Sequence, residues 1–130
     1  MKIMVCYDGS SDNTAILAKA HERAASTDAS VYLLSVLVGD DVGQLDEIEP
    51  AQKILATAQA SFEAEDIPCE TKVLFGGNAA GKSIVKHAEQ NGIDEIIIGI
   101  QKTSKVGKFL FGSTAQEVIL EAPCPVLTVK

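Results

Sequence analysis

The segment Val31–Val38 reads VYLLSVLV and does not alternate between apolar and polar residues. A strand with one wet face shows a period of two, so a run this uniformly apolar has to be covered on both faces. Helices on both sides of a parallel sheet supply that cover, and parallel strands need crossovers of about a dozen residues or more. The rest of the chain has that spacing. Ile3–Tyr7, Cys69–Phe75, Ile96–Ile98 and Val126–Val129 are further short β-rich runs. Between them, Ile16, Leu17, Ala20 and Ala24 recur at helical spacing within Thr14–Ala25, and Ile54, Leu55, Ala58 and Phe62 form a second stripe. Ala80–Gln90 and Ser113–Leu120 supply a third and a fourth helix. Five strands joined by right-handed crossovers predict an α/β fold: an open, doubly wound, five-stranded parallel sheet, Rossmann-like. Gly39–Glu49 reads as an acidic loop, Pro50 as a first-turn proline, Pro68 as the stop of that helix and Gly92 as the C-terminal cap of the third.

Residues 1–130 suffice for one domain and one core, not two. A hydrophobic share of 46% argues against disorder, and a net charge of −7 argues against a nucleic-acid partner, whose phosphates need a broad basic surface. No apolar run approaches the ~20 residues of a membrane helix, and the apolar opening is too short for a signal peptide. Cys6, Cys69 and Cys124 are an odd number without CxxC or zinc spacing, which suggests reduced thiols and a cytoplasmic location.

Open α/β sheets bind ligands outside the carboxyl ends of their strands, where the strand order switches, so the loops after strands one, two and four come first. The stretch Gly99–Thr114 (GIQKTSKVGKFLFGST) holds three glycines, three lysines and four hydroxyls, with no acidic residue. Glycines let backbone N–H groups approach an oligophosphate, Ser113 and Thr114 offer hydroxyls, and the following helix start adds partial positive charge. A solvated loop whose glycines only make turns would look the same. The second candidate, Gly76–Ser83 (GGNAAGKS), matches the G-x-x-x-x-G-K-[ST] phosphate-loop pattern between a strand and a helix. Such a loop also needs an acidic Mg²⁺ ligand at the end of another strand, and the second and fourth strands end without one; only Asp8 could substitute. The plainer reading is a capping turn with a solvated Lys82. The third candidate is Asp8-Gly9-Ser10, where Asp8 could accept bonds from a ribose or cap the first helix. His21 and His87 have no Cys or Asp partner nearby in sequence and read as surface residues. Cys6 and Cys124 read as small core or strand-end residues. No nucleophile–base pair stands out, so nothing here supports more than weak hydrolysis.

Together these pieces resemble the universal stress protein family over essentially the whole chain. The resemblance is carried by Ile3–Ser10 (IMVCYDGS), Leu33–Val36, Asp94–Gly99 (DEIIIG), Phe111–Gln116 and Ala122–Leu127 (APCPVL). It implies a dimer, formed through the C-terminal strand, and in one branch of the family ATP bound by G-x2-G-x9-G-[ST]. That motif falls on Gly99, position 102, Gly112 and Ser113; position 102 is Lys, where the motif has its second glycine. By resemblance, Asp8 faces the ribose, the Val36 backbone meets the adenine, and Gly112 with Ser113 holds phosphates. The residues expected around ATP or AMP, with or without Mg²⁺, are Tyr7, Asp8, Val36, Gly99, Gln101, Lys102, Gly112, Ser113 and Thr114. A branch without nucleotide makes a nucleotide-independent interaction module the alternative, and a small phosphate-loop NTPase using Gly76–Ser83 a further one.

Overall fold

The computed structural model describes residues 1–7, 14–38, 41–77, 79–100, 102–103, 108–109 and 113–130. In chain order the elements are β1 (Lys2–Cys6), α1 (Thr14–Thr27), β2 (Ser30–Val38), α2 (Asp41–Glu63), β3 (Cys69–Gly77), α3 (Ala80–Gln90), β4 (Glu95–Gly99), β5 (Lys102–Thr103), β6 (Lys108–Phe109), α4 (Ser113–Glu121) and β7 (Val126–Val129). The main sheet has five strands in the order β3-β2-β1-β4-β7, with every pairing parallel. The chain winds outward from β1 to β3, then returns to place β4 on the other side of β1. The order therefore switches between β1 and β4.

Alternate side chains of the central strands enter two apolar layers, one on each face of the sheet, where the sequence predicts a single core. Ile3, Val5, Val31, Leu33 and Ile97 pack with Ile16, Ala20 and Ala24 of α1 and Leu55, Ala58 and Phe62 of α2. Met4, Leu34, Ile96 and Ile98 pack with Ile84, Val85 and Ala88 of α3 and Ala115 and Val118 of α4. Two apolar faces on one sheet explain why β2 shows no alternation. Full burial of each large aliphatic side chain contributes about 1.5–3 kcal/mol, so these two layers dominate stability.

The acidic stretch before Pro50 is helical, not a loop. α2 begins at Asp41, and Pro50 sits inside it. A proline there removes one backbone donor and crowds the preceding turn, a cost of ~3 kcal/mol. Burial of Ala51, Leu55, Ala58 and Phe62 offsets it, and acidic residues suit the positive end of the helix. Gly92 does close α3, with a left-handed φ of 62°.

The ends of β4 are fixed by polar contacts as well as by packing. Glu95 is 7% exposed, and Arg23 of α1 holds both its oxygens, from Nη2 at 2.8 Å and Nε at 3.2 Å. Asp94 accepts from the Lys2 backbone N–H at 2.8 Å and returns its own N–H to the Lys2 carbonyl at 2.8 Å. The Glu95 carboxylate also raises the Arg23 pKa, first through the hydrogen bond and then through its charge.

Candidate functional site

The carboxyl edge of the sheet brings together the ends of β1, β2 and β4 and the start of α4. Tyr7 follows β1 directly and donates its N–H to the Leu34 carbonyl at 2.8 Å. Its side chain packs at the margin of the core under α1 and α2. The β1–β2 register ends at Cys6 and Leu34, whereas β2 continues to Val38. Residues on a parallel strand turn their main-chain groups alternately to one neighbour and the other. Ser30 and Leu34 turn theirs to β1, and Val31 turns its to the β3 side. Val36 has the parity of Leu34, so its main chain faces the β1 side, beyond the last β1 pair. Its side chain stands out from the sheet face, half-buried against the core under α3 and α4.

Gly99 ends β4 on the other side of the switch. The β1–β4 register stops at Val5 and Ile97, while Gly99 still pairs with Val129 of β7. Ser113 is the first residue of α4, and Thr114 beside it is half-buried. Tyr7, Val36, Gly99, Ser113 and Thr114 thus share the edge that the strand order marks as a ligand position. Asp8, Gln101 and Gly112 lie outside the described residues.

Lys102 lies in a feature that the sequence reading had not separated from the loop. Lys102–Thr103 pairs antiparallel with Lys108–Phe109, matching Lys102 to Phe109 and Thr103 to Lys108. The backbone at Lys102 is therefore extended. Among the described residues only Asp28 and Asp66 are non-glycines with positive φ.

Gly76–Ser83 is built differently. Gly76 and Gly77 belong to β3, and the Ala79 N–H closes a tight turn on the Gly76 carbonyl at 2.7 Å before α3 starts at Ala80. A Cβ on Gly76 would lie 2.8 Å from both Ala80 Cα and Val36 Cγ1. Gly81 is already helical and buried, and a Cβ there would lie 2.7 Å from Glu117 Cβ of α4. These glycines admit neighbouring elements, and Lys82 is exposed. β3 is also an edge strand of the sheet, two strands away from β1 at the switch.

His21 is not a plain surface residue. Its ring stacks on Phe62 at 3.9 Å and 1°, Nε2 lies 3.2 Å from Ser61 Oγ, and Nδ1 lies 2.6 Å from Glu65 Oε2. Partners forty and more positions away cannot be found by looking nearby in sequence. The three cysteines are free thiols, as expected. Burial pushes Cys6 and Cys69 up to about 12 and raises Cys124, so none is an activated nucleophile. Among the described residues there is no metal-ligand cluster, and no helix is long and apolar enough to cross a membrane.

The fold is a doubly wound α/β domain whose strand order switches between β1 and β4. The family model for universal stress proteins matches residues 1–130, and the chain belongs to that family. A universal stress protein of Thermus aquaticus is 33% identical over 137 residues, covering 98% of this chain and 97% of that protein. The solved universal stress protein structure from Archaeoglobus fulgidus has a TM-score of 0.87 and 33% identity, over 100% of this chain and 98% of that one. Another from the same organism, solved in complex with dAMP, has a TM-score of 0.79 and 30% identity, over 100% and 98%.

Proposed function

We propose that this universal stress protein binds an adenine nucleotide, ATP or AMP with or without Mg²⁺, at the β1/β4 switch. It acts as a homodimeric regulatory module in the cytoplasm. The observation that carries this reading is the gathering of Tyr7, Val36, Gly99 and Ser113 on one sheet edge. The dAMP complex of a 30% identical relative of the same fold supports it. In the proposed arrangement the Val36 main chain meets the base, Tyr7 and Asp8 face the sugar, and Gly99, Gln101, Lys102, Gly112, Ser113 and Thr114 surround the phosphates. The α4 start contributes backbone N–H groups and a favourable dipole for anionic oxygens. The dimer forms through β7, an edge strand of half-buried side chains that pairs on one side with β4. An edge of this kind gains main-chain hydrogen bonds from a second strand.

Lys102 favours a second reading, a nucleotide-independent dimerisation module, because a side chain and charge stand where the family motif has glycine. Native mass spectrometry of protein purified without added nucleotide tests both parts at once. The expected species is a dimer whose excess mass is released on denaturation as an adenine nucleotide. A ligand-free dimer that takes up no added ATP selects the second reading, and a monomer overturns the β7 interface.

A further inference from the structure

Away from the carboxyl edge, a cavity of about 520 Å³ is lined by the amino halves of β2 and β3, the last turns of α3 and Gln59 of α2. The β2–β3 register places Tyr32 opposite Glu70 and Leu34 opposite Lys72. These four side chains stand on one face of the sheet. From α3 come His87 and Asn91, one turn apart. The Asn91 amide donates to the His87 carbonyl at 2.8 Å and lies 3.4 Å from His87 Nδ1. Lys2 fixes this end of α3, donating from Nζ to the Asn91 carbonyl at 3.1 Å and lying 5.9 Å from the centre of the Tyr32 ring. With Nδ1 accepting from Asn91, a neutral His87 carries its proton on Nε2 and is a donor there.

Lys72 and Glu70 face the same cavity, and among the described residues neither takes part in an ion pair. Their neighbours along the groove, Tyr32 and Asn91, are neutral. We propose that this groove is a second ligand site, binding the oxyanion of a small polar molecule between Lys72 and His87, with the Tyr32 hydroxyl as a neutral donor. Glu70, nearer the amino end, repels a second negative group and suits a hydroxyl or amine at the other end of the ligand. Burial, and then the Lys72 charge, hold the His87 pKa below its ordinary value. An anion between the two reverses the second cause, so binding takes up a proton at His87. The titratable groups that line the groove with His87 are Lys72 and Glu70 from β3 and Tyr32 from β2, and of these Lys72 lowers its pKa. Because the folded chain resists protonating His87, stability is present above the ordinary imidazole pKa and is lost as pH falls through the lowered value. A bound oxyanion reduces that loss.

The test follows the His87 ring by NMR against pH in wild type and Lys72→Ala, with inorganic phosphate or with chloride at matched ionic strength. In wild type, phosphate raises the His87 pKa toward the ordinary range. In Lys72→Ala with chloride it is already higher, and the apparent phosphate affinity falls at least about tenfold. Lys72 is exposed, so the variant folds. An equal response to acetate shows a site for oxyanions in general, carboxylates included; a response to phosphate alone narrows the ligand to a phosphate ester. The proposal is overturned if phosphate leaves the titration where chloride puts it, or if Lys72→Ala responds as wild type does. Neither result bears on nucleotide binding at the opposite end of the sheet.

Discussion

Two glycine-bearing crossings leave the carboxyl edge of this sheet toward a helix, and they use glycine for different ends. The β3–α3 crossing matches a well-known phosphate-binding pattern letter for letter. Two of its glycines have no free space beside them, Gly76 against Ala80 and Val36 and Gly81 against Glu117. The β4–α4 crossing matches its family motif with one glycine missing, yet it starts beside β1 at the switch in strand order. Position in the sheet therefore discriminates better than spelling. Glycines of a phosphate loop leave open the space where phosphate approaches the backbone, and Gly76 and Gly81 have that space filled by neighbouring residues.

The largest expected contrast is in nucleotide affinity. Gly112→Val in the β4–α4 crossing should weaken ATP at least about a hundredfold, ~2.7 kcal/mol, because a branched side chain blocks the approach of phosphate to backbone. Lys82→Ala in the β3–α3 crossing should leave affinity within about threefold. Titration calorimetry reads both. Loss of binding in Lys82→Ala with retention in Gly112→Val would reverse the assignment of the two loops.

A smaller effect separates the crossings by stability. Alanine is the better helix former by ~1 kcal/mol, so Gly81→Ala would stabilise an isolated α3. In the folded chain its Cβ would meet Glu117 Cβ at 2.7 Å, an atom fixed to the α4 backbone, so the two helices must separate. The expected outcome in urea denaturation is a net loss of about 1–3 kcal/mol, with ATP affinity unchanged. Stabilisation by Gly81→Ala would show that this glycine is not a packing residue.

The sequence made the sheet legible because burial on both faces is written into β2 and β4 as nearly all-apolar runs, VYLLSVLV and III. The bounds of α3, closed by Gly92, and those of β7 were equally readable. What escaped it depends on contacts between distant positions. The turns of α2 before Pro50 are held by a helix whose later residues pack on β2 and β3, which overrides the local signals of Gly43 and Pro50. The stack of His21 on Phe62 and the grip of Arg23 on Glu95 join residues 41 and 72 positions apart. The groove at Lys72 and His87 likewise needs β2, β3 and α3 side by side. For the candidate site, the sequence pointed to the loops after strands one, two and four and the family motif named candidate residues; the strand order, and the parity that turns the Val36 main chain toward β1, became visible only with the register.

The finest distinction concerns Lys102. A glycine is required where φ is positive or where a Cβ would strike a neighbour or a ligand. The first reason does not hold here, because Lys102 is extended and paired with Phe109. The second would make lysine a steric block and this chain a non-binder. Against that stands the chemistry of the side chain: an ammonium on a flexible stem can swing aside or reach a phosphate as a point charge. Lys102→Gly removes both the obstruction and the charge, two effects of opposite sign. The expected result is that wild type and Lys102→Gly both bind ATP with affinities within about tenfold, ~1.4 kcal/mol. Salt distinguishes which effect is the larger: if the ammonium contributes, wild-type affinity falls more steeply with ionic strength than that of Lys102→Gly. Binding gained only in Lys102→Gly would identify lysine as the block and leave the β4–α4 crossing, like the β3–α3 one, without a nucleotide.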